Sequence, residues 1–145
     1  MINAIMHGCN GKMGRVITDI VNNRNDAAIV AGVDLDITQN GPFPVFNSFD
    51  DIKVPADVII DFSFHTLVKG VVDYASKAGV PVVIATTALN DDEKNAVSVA
   101  ANKTPVFLAY NMSFGIALLC DFAKKAAAAF PDADIEIVEA HHNRK

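Results

Sequence analysis

The sequence is short of several things, and each shortage closes off a class of protein. Only two cysteines occur, Cys9 and Cys120, far apart and without Cys-x-x-Cys spacing. A disulfide framework or a thiolate metal site is therefore not expected, and both read as small packing residues. No apolar run is long enough for a membrane span, and the residues ahead of Gly8 hold neither a basic stretch nor room for a signal core. Neither a membrane nor a secretory route is expected, which leaves the cytoplasm. Basic residues are outnumbered, 12 against 17 acidic, for a formal net charge of -5. That removes the basic face needed to neutralise a phosphate backbone, so nucleic acid is not an expected partner. What remains is a globular composition, 51% hydrophobic and 20% charged over 145 residues, which fits one domain, or one domain and a piece of a second.

One rhythm runs along most of the chain. The stretches INAIMH (2–7) and AAIVAGVD (27–34) are short and apolar, and Val16, Ile17, Ile20 and Val21 recur between them at helical spacing. Strand, helix, strand returns with DVIIDFS (57–63), a helical face of Leu67, Val68, Val71, Val72 and Ala75, and PVVIAT (81–86). A further helix near Asp91, whose side chain and that of Asp92 suit a helix start, leads to PVFLAY (105–110). The later strands show little polar alternation, as parallel strands covered on both faces do. The expected fold is a doubly wound parallel α/β sheet of Rossmann type over residues 1–112. Residues 35–56 form a long connection with room for a short extra strand. After Asn111 the pattern changes to an Ala-rich helix, about 115–130, and an alternating strand, IEIVEA. Its apolar face, with Ile116, Leu119, Phe122, Ala123, Ala126 and Phe130, predicts self-association or a partner segment.

Between the first strand and the first helix lies GCNGKMGR (8–15), with glycines at every third position. Two readings fit: a glycine turn with one packing glycine, or a backbone cradle that brings amides to a pyrophosphate at a helix N-terminus. The second also asks for an acidic residue at the end of the next strand to bond ribose hydroxyls, and Asp34 and Asp36 both stand there. At the other end, EAHHNRK concentrates His141, His142, Arg144 and Lys145. The cluster suits an anionic substrate that must be protonated, or else it is a solvated terminus. Adjacent histidines on a strand point to opposite faces, so no metal is expected.

Taken in order and spacing, GCNGKMGR, DVIIDFS, ATTAL, AYNMSFGI and EAHHNRK resemble the 4-hydroxy-tetrahydrodipicolinate (dihydrodipicolinate) reductases of the diaminopimelate route to lysine. The resemblance covers the whole chain, and its last motif is the most specific. It implies hydride transfer from NADH or NADPH to a small dicarboxylate. It also implies that Gly8, Cys9, Asn10, Gly11, Lys12 and Met13 cradle the pyrophosphate and that Asp36 holds the adenosine ribose, with Asp34 the lesser candidate. Ala85, Thr86 and Thr87 would lie under the nicotinamide, and Ala109, Tyr110, Asn111 and Met112 would hold its carboxamide. His141 and Lys145 take proton-transfer roles and His142 contacts substrate. A homotetramer is implied for the full-length protein.

The departures from the family pattern matter as much. Ala85 and Ala88 stand where the family usually has glycines around the Thr-Thr pair. Ile37 follows Asp36 where some members offer an arginine to a 2′-phosphate, so NADH is favoured over NADPH, although Lys12 lies near enough to meet a phosphate. Family members continue past the lysine with Asp-x-Pro-Ser-Gly-Thr-Ala and a mixed sheet. Residues 113–145 are therefore expected to be the first helix and strand of a substrate and tetramerisation domain, and the chain an inactive or partial fragment. The alternatives are a stand-alone redox-sensing dinucleotide domain and a Rossmann-like interaction domain that binds no cofactor.

Overall fold

Short apolar stretches become strands and the segments of helical periodicity become helices in a computed structural model that describes residues 1–138 and 140. The strands are β1 (Ile2–His7), β2 (Ala27–Val33), β3 (Val45–Phe46), β4 (Val58–Asp61), β5 (Val82–Ile84) and β6 (Val106–Leu108). All pair in parallel, in the order β3-β2-β1-β4-β5-β6. Because the chain leaves β1 in one direction to reach β2 and later returns to β4 on its other side, the strand order reverses between β1 and β4. In open α/β sheets the crevice at the carboxyl ends of such strands is where ligands bind. The register sets His7 beside Asp61 at that crevice.

Helices α1 (Lys12–Asn22), α2 (Val68–Ala78) and α3 (Asp91–Ala101) supply the crossovers. Alternation along the strands splits the core between two faces. Ile5 and Ile59 join Val68, Val71, Val72, Ala75, Val82, Ile84 and Val97 on one, while Met6 and Ile29 meet Cys9 and Phe43 on the other, with Ile17, Val21 and Ile60 packed against them. Val68, Val71, Val72 and Ala75 form the i, i+3, i+4, i+7 stripe of α2 and are buried. Each such valine contributes about 1.5–3 kcal/mol relative to exposure. The long connection 35–56 does contain a short strand, β3. Helix α3 starts at Asp91, as its sequence suggests, and its cap is Asn90. Asn90 Oδ1 accepts the Glu93 N–H (2.9 Å) and Glu93 Oε2 accepts the Asn90 N–H (2.8 Å), a reciprocal capping box. Asp91 and Asp92 lie in the first turn, where the helix dipole favours them.

The chain divides into two units, Met1–Tyr110 and a second beginning at Asn111. In the second, α4 (Phe114–Ala129) starts at Ser113, whose Oγ accepts the Ile116 N–H (3.4 Å). Cys120 on α4 is exposed, contrary to its reading as a packing residue. The strand expected over 135–140 is not formed in residues 135–138 or 140. An alternating stretch becomes a strand only when another strand satisfies its backbone, and among the described residues of this unit none does.

Candidate functional site

The carboxyl end of β1 runs into a turn whose shape the glycines dictate. Gly8 has φ +78°, a left-handed conformation, and a Cβ there would stand 2.6 Å from the Phe62 carbonyl oxygen. No other residue type fits without moving the backbone that follows β4. The turn is held to both neighbouring strands: the Gly8 N–H donates to Val33 O (2.8 Å) and the Phe62 N–H to His7 O (3.1 Å). Gly11 caps α1 with no side-chain hydrogen bond, and the first turn of the helix contains no acidic residue. Its amides and dipole are thus left for an anion. A cavity of about 420 Å³ opens there, lined by Gly8, Asn10, Gly11, Lys12 and Met13 from the turn, Asp34 and Asp36 from beyond β2, and Phe62 to Phe64 from beyond β4. The cradle and both candidate ribose carboxylates therefore share one cavity. A larger one, about 900 Å³ between α2 and α3, is lined by side chains with no part in the expected chemistry.

The two aspartates differ in what occupies them. Asp34 is committed to backbone, accepting from the Asn10 N–H (2.8 Å) and the Asp36 N–H (3.1 Å). Asp36 is exposed, and its carboxyl lies below the ordinary range because the Thr38 hydroxyl and then the Thr38 N–H donate to it. It is the anionic group better placed to accept from a ligand. Cys9, expected in the cradle, does not line this cavity. Its side chain is buried against Gly32 and Phe43, and burial, followed by the charge of Asp34, pushes the thiol up to about 11.

Beneath the cavity sits a buried polar group that sequence reasoning missed. Asp61 is fully buried and lies 2.7 Å from His7 Nδ1, a close contact not aligned as a hydrogen bond. It also accepts the hydroxyls of Ser63 (2.6 Å) and Thr86 (2.7 Å). Burial pushes its carboxyl up, but His7, Ser63 and Thr86 outweigh that and hold it below the ordinary range. One carboxylate thus meets the end of β1 and the loops after β4 and β5. The sequence signal was available: an Asp ending an apolar strand, in register with a His ending another.

The nicotinamide candidates are distributed differently. Ala85 and Thr86 are buried, and Thr87 is exposed. The Thr86 hydroxyl is turned inward to Asp61, so it serves the loop. Ala88 has φ +62°, which explains why a glycine would suit this position. The Ala109 N–H donates to Ile84 O (3.0 Å) and extends β6, and Tyr110 is exposed at the end of the first unit. Asn111 and Met112 belong to the second unit, where Asn111 Oδ1 accepts the Ser113 N–H (2.7 Å). His141, His142 and Lys145 lie outside the described residues. Among the described residues no helix is long and apolar enough to cross a membrane, and no three His, Cys, Asp or Glu side chains gather into a metal-binding group.

A parallel sheet ordered 3-2-1-4-5-6, a glycine turn opening onto a bare helix N-terminus and an exposed carboxylate after β2 define a nucleotide-binding domain of Rossmann type. Residues 2–112 match the family model described as dihydrodipicolinate reductase, N-terminus, and the chain belongs to that family. Over its whole length the chain is 45% identical to the 4-hydroxy-tetrahydrodipicolinate reductase of Caldanaerobacter subterraneus subsp. tengcongensis and 41% identical to that of Clostridium tetani. It spans 57% of the length of each. The solved dipicolinate-bound dihydrodipicolinate reductase from Paenisporosarcina sp. TG-14 superposes with a TM-score of 0.77 at 28% identity, over 91% of this chain and 56% of that one.

Proposed function

We propose that the chain is the dinucleotide-binding part of a reductase that converts 4-hydroxy-tetrahydrodipicolinate (dihydrodipicolinate) to tetrahydrodipicolinate in the diaminopimelate route to lysine. The observation that carries this reading is the coincidence of family membership over residues 2–112 with a glycine turn and Asp36 on one cavity. The turn fits a diphosphate on its own geometry, since it presents backbone where Cβ atoms are excluded and leaves the helix start uncapped. When bound, NADH or NADPH supplies the hydride. The backbone from Gly8 to Met13 holds the diphosphate, and Asp36 accepts from the adenosine ribose. The loop 85–87 and residues 109–112 orient the nicotinamide. His141 and Lys145 supply and steer the proton and His142 binds a carboxylate of the substrate, a small dicarboxylate. The protein works in the cytoplasm, and the full-length enzyme is a homotetramer.

NADH is the favoured cofactor, because the Asp36 carboxylate is anionic at neutral pH and repels a 2′-phosphate. Isothermal titration of the chain with both cofactors tests this, and NADPH binding more than about tenfold tighter than NADH, a difference of about 1.4 kcal/mol, overturns it. For the reaction, the full-length protein is assayed with freshly generated substrate. His141→Ala and Lys145→Ala are expected to lower kcat by about 10²-fold or more while leaving NADH affinity within about twofold. Unchanged turnover in both variants removes the proton-transfer assignment.

A further inference from the structure

The glycine turn carries one side chain whose hydrogen-bonding groups are all spent on another segment. Asn10 Nδ2 donates to the backbone carbonyls of Asp36 (2.6 Å) and Thr38 (2.8 Å), and its Oδ1 accepts from Asn40 Nδ2 (2.9 Å). Its backbone N–H goes to Asp34 Oδ2 (2.8 Å). A carboxamide has two donor hydrogens, so nothing remains on Nδ2 for a ligand. The segment it grips has little else to hold it: residues 35–40 are all exposed and form no helix or strand. Within that segment Thr38 closes on Asp36, its N–H (3.0 Å) and hydroxyl (2.6 Å) both donating to Asp36 Oδ1. The chain of contacts therefore runs from the phosphate-binding turn through the Asn10 amide to the loop backbone and so to the Asp36 carboxylate. A dinucleotide has a fixed distance between its diphosphate and its adenosine ribose, and a loop free to drift would lose one contact whenever it made the other.

We propose that Asn10 is a positioning residue for ribose recognition: its amide locks the 34–40 loop to the glycine turn at the spacing that lets Asp36 meet the adenosine ribose hydroxyls. The proposal deepens the dinucleotide reading and rests on it. Asn10→Ala removes the lock. Asn10→Asp keeps the size but sets carboxylate oxygens against two carbonyls, so it opens the loop more strongly. Asn40→Ala, at an exposed position, removes the donor to Asn10 Oδ1 together with a longer bond to the Thr38 carbonyl (3.4 Å), leaves both Asn10 Nδ2 bonds in place and is the mild variant.

The test is calorimetric titration of the whole chain and these variants with ADP-ribose and with its analogue lacking the adenosine 2′-hydroxyl, alongside urea unfolding of each protein. The wild-type chain is expected to prefer ADP-ribose. Asn10→Ala and Asn10→Asp are expected to lose about tenfold or more in ADP-ribose affinity, with the preference for the 2′-hydroxyl collapsing toward unity. The double variant Asn10→Ala/Asp36→Ala is expected to bind no more weakly than Asp36→Ala alone, because the two act through one contact. A purely structural asparagine would change stability without touching the 2′-hydroxyl preference. Folded Asn10 variants that keep the wild-type preference therefore overturn the proposal. If neither Asn10 variant folds, Asn40→Ala decides, with a reduced preference supporting the proposal and an unchanged one overturning it. A wild-type chain that binds no ADP-ribose overturns the dinucleotide reading and this proposal together. Normal wild-type binding with unaltered discrimination in the variants overturns this proposal alone.

Discussion

Replacing Gly14 by alanine separates a phosphate cradle built by close packing from an ordinary turn. A Cβ at Gly14 would stand 2.1 Å from the Gly8 carbonyl oxygen and 2.7 Å from both Cα and O of Cys9. The first distance falls about 1.3 Å short of ordinary van der Waals contact at 3.4 Å. All three obstacles are backbone, so no side chain can rotate away, and α1 must separate from the turn. Overpacking of this kind costs about 1–3 kcal/mol, and the rigidity of the neighbours puts this site at the upper end. Alanine regains about 1 kcal/mol of helix propensity over glycine, which leaves a net loss of about 2 kcal/mol. Gly70 in α2 is the control, because a Cβ there meets nothing within 4 Å. Gly70→Ala should stabilise by about 0.5–1 kcal/mol, since only the backbone term changes. Urea unfolding of the two variants reads the difference, and titration of NADH fluorescence should show Gly14→Ala weakened at least about tenfold with Gly70→Ala unchanged. If Gly14→Ala is as stable as Gly70→Ala and binds NADH normally, the packing reasoning is wrong.

Other outcomes follow from single features of the site. Ala88→Gly relieves a left-handed alanine (φ +62°) and should raise stability by about 0.5–1 kcal/mol, read as a higher urea midpoint at unchanged slope. Asp61 is held below its ordinary range, so its contribution is complete above the unfolded value of about 3.9 and is lost as pH falls through the lower folded value. Asp61→Asn should cost about 2 kcal/mol at neutral pH and flatten the acid limb of the stability profile, whereas an acid limb as steep as the wild type's would remove Asp61 as its source. Toward a thiol reagent at pH 8, Cys120 should react in the native chain and Cys9, buried with its thiol raised to about 11, only after denaturation; two fast thiols in the native chain would contradict this.

Much of the fold could be read from local pattern because parallel strands and crossover helices write themselves in short apolar runs and helical stripes. The Val68, Val71, Val72, Ala75 stripe predicted the buried face of α2, and the glycines with Asp34 and Asp36 predicted which segments share a cavity. What escaped depends on tertiary pairing. Nothing near Asn10 in sequence says that its amide reaches residues 26 and 28 positions away. Likewise, the meeting of His7 and Asp61 follows from strand order and register. The start of α3 near Asp91 was legible from its acidic first turn, but the cap was not, because Asn90, Asp91 and Asp92 all suit a helix start and only Glu93 reaching back distinguishes Asn90. IEIVEA has the alternation of a strand, but alternation states a preference for one face and supplies no partner.

Amide chemical-shift mapping of the isotopically labelled chain during titration with NADH asks whether the turn after β1 and the loop after β2 together hold a dinucleotide. The largest shifts are expected on Gly8 to Gly14, Asp34 to Thr38 and Phe62 to Phe64, saturating together. Shifts confined to the larger cavity between α2 and α3, or no shifts at millimolar NADH, would contradict binding there.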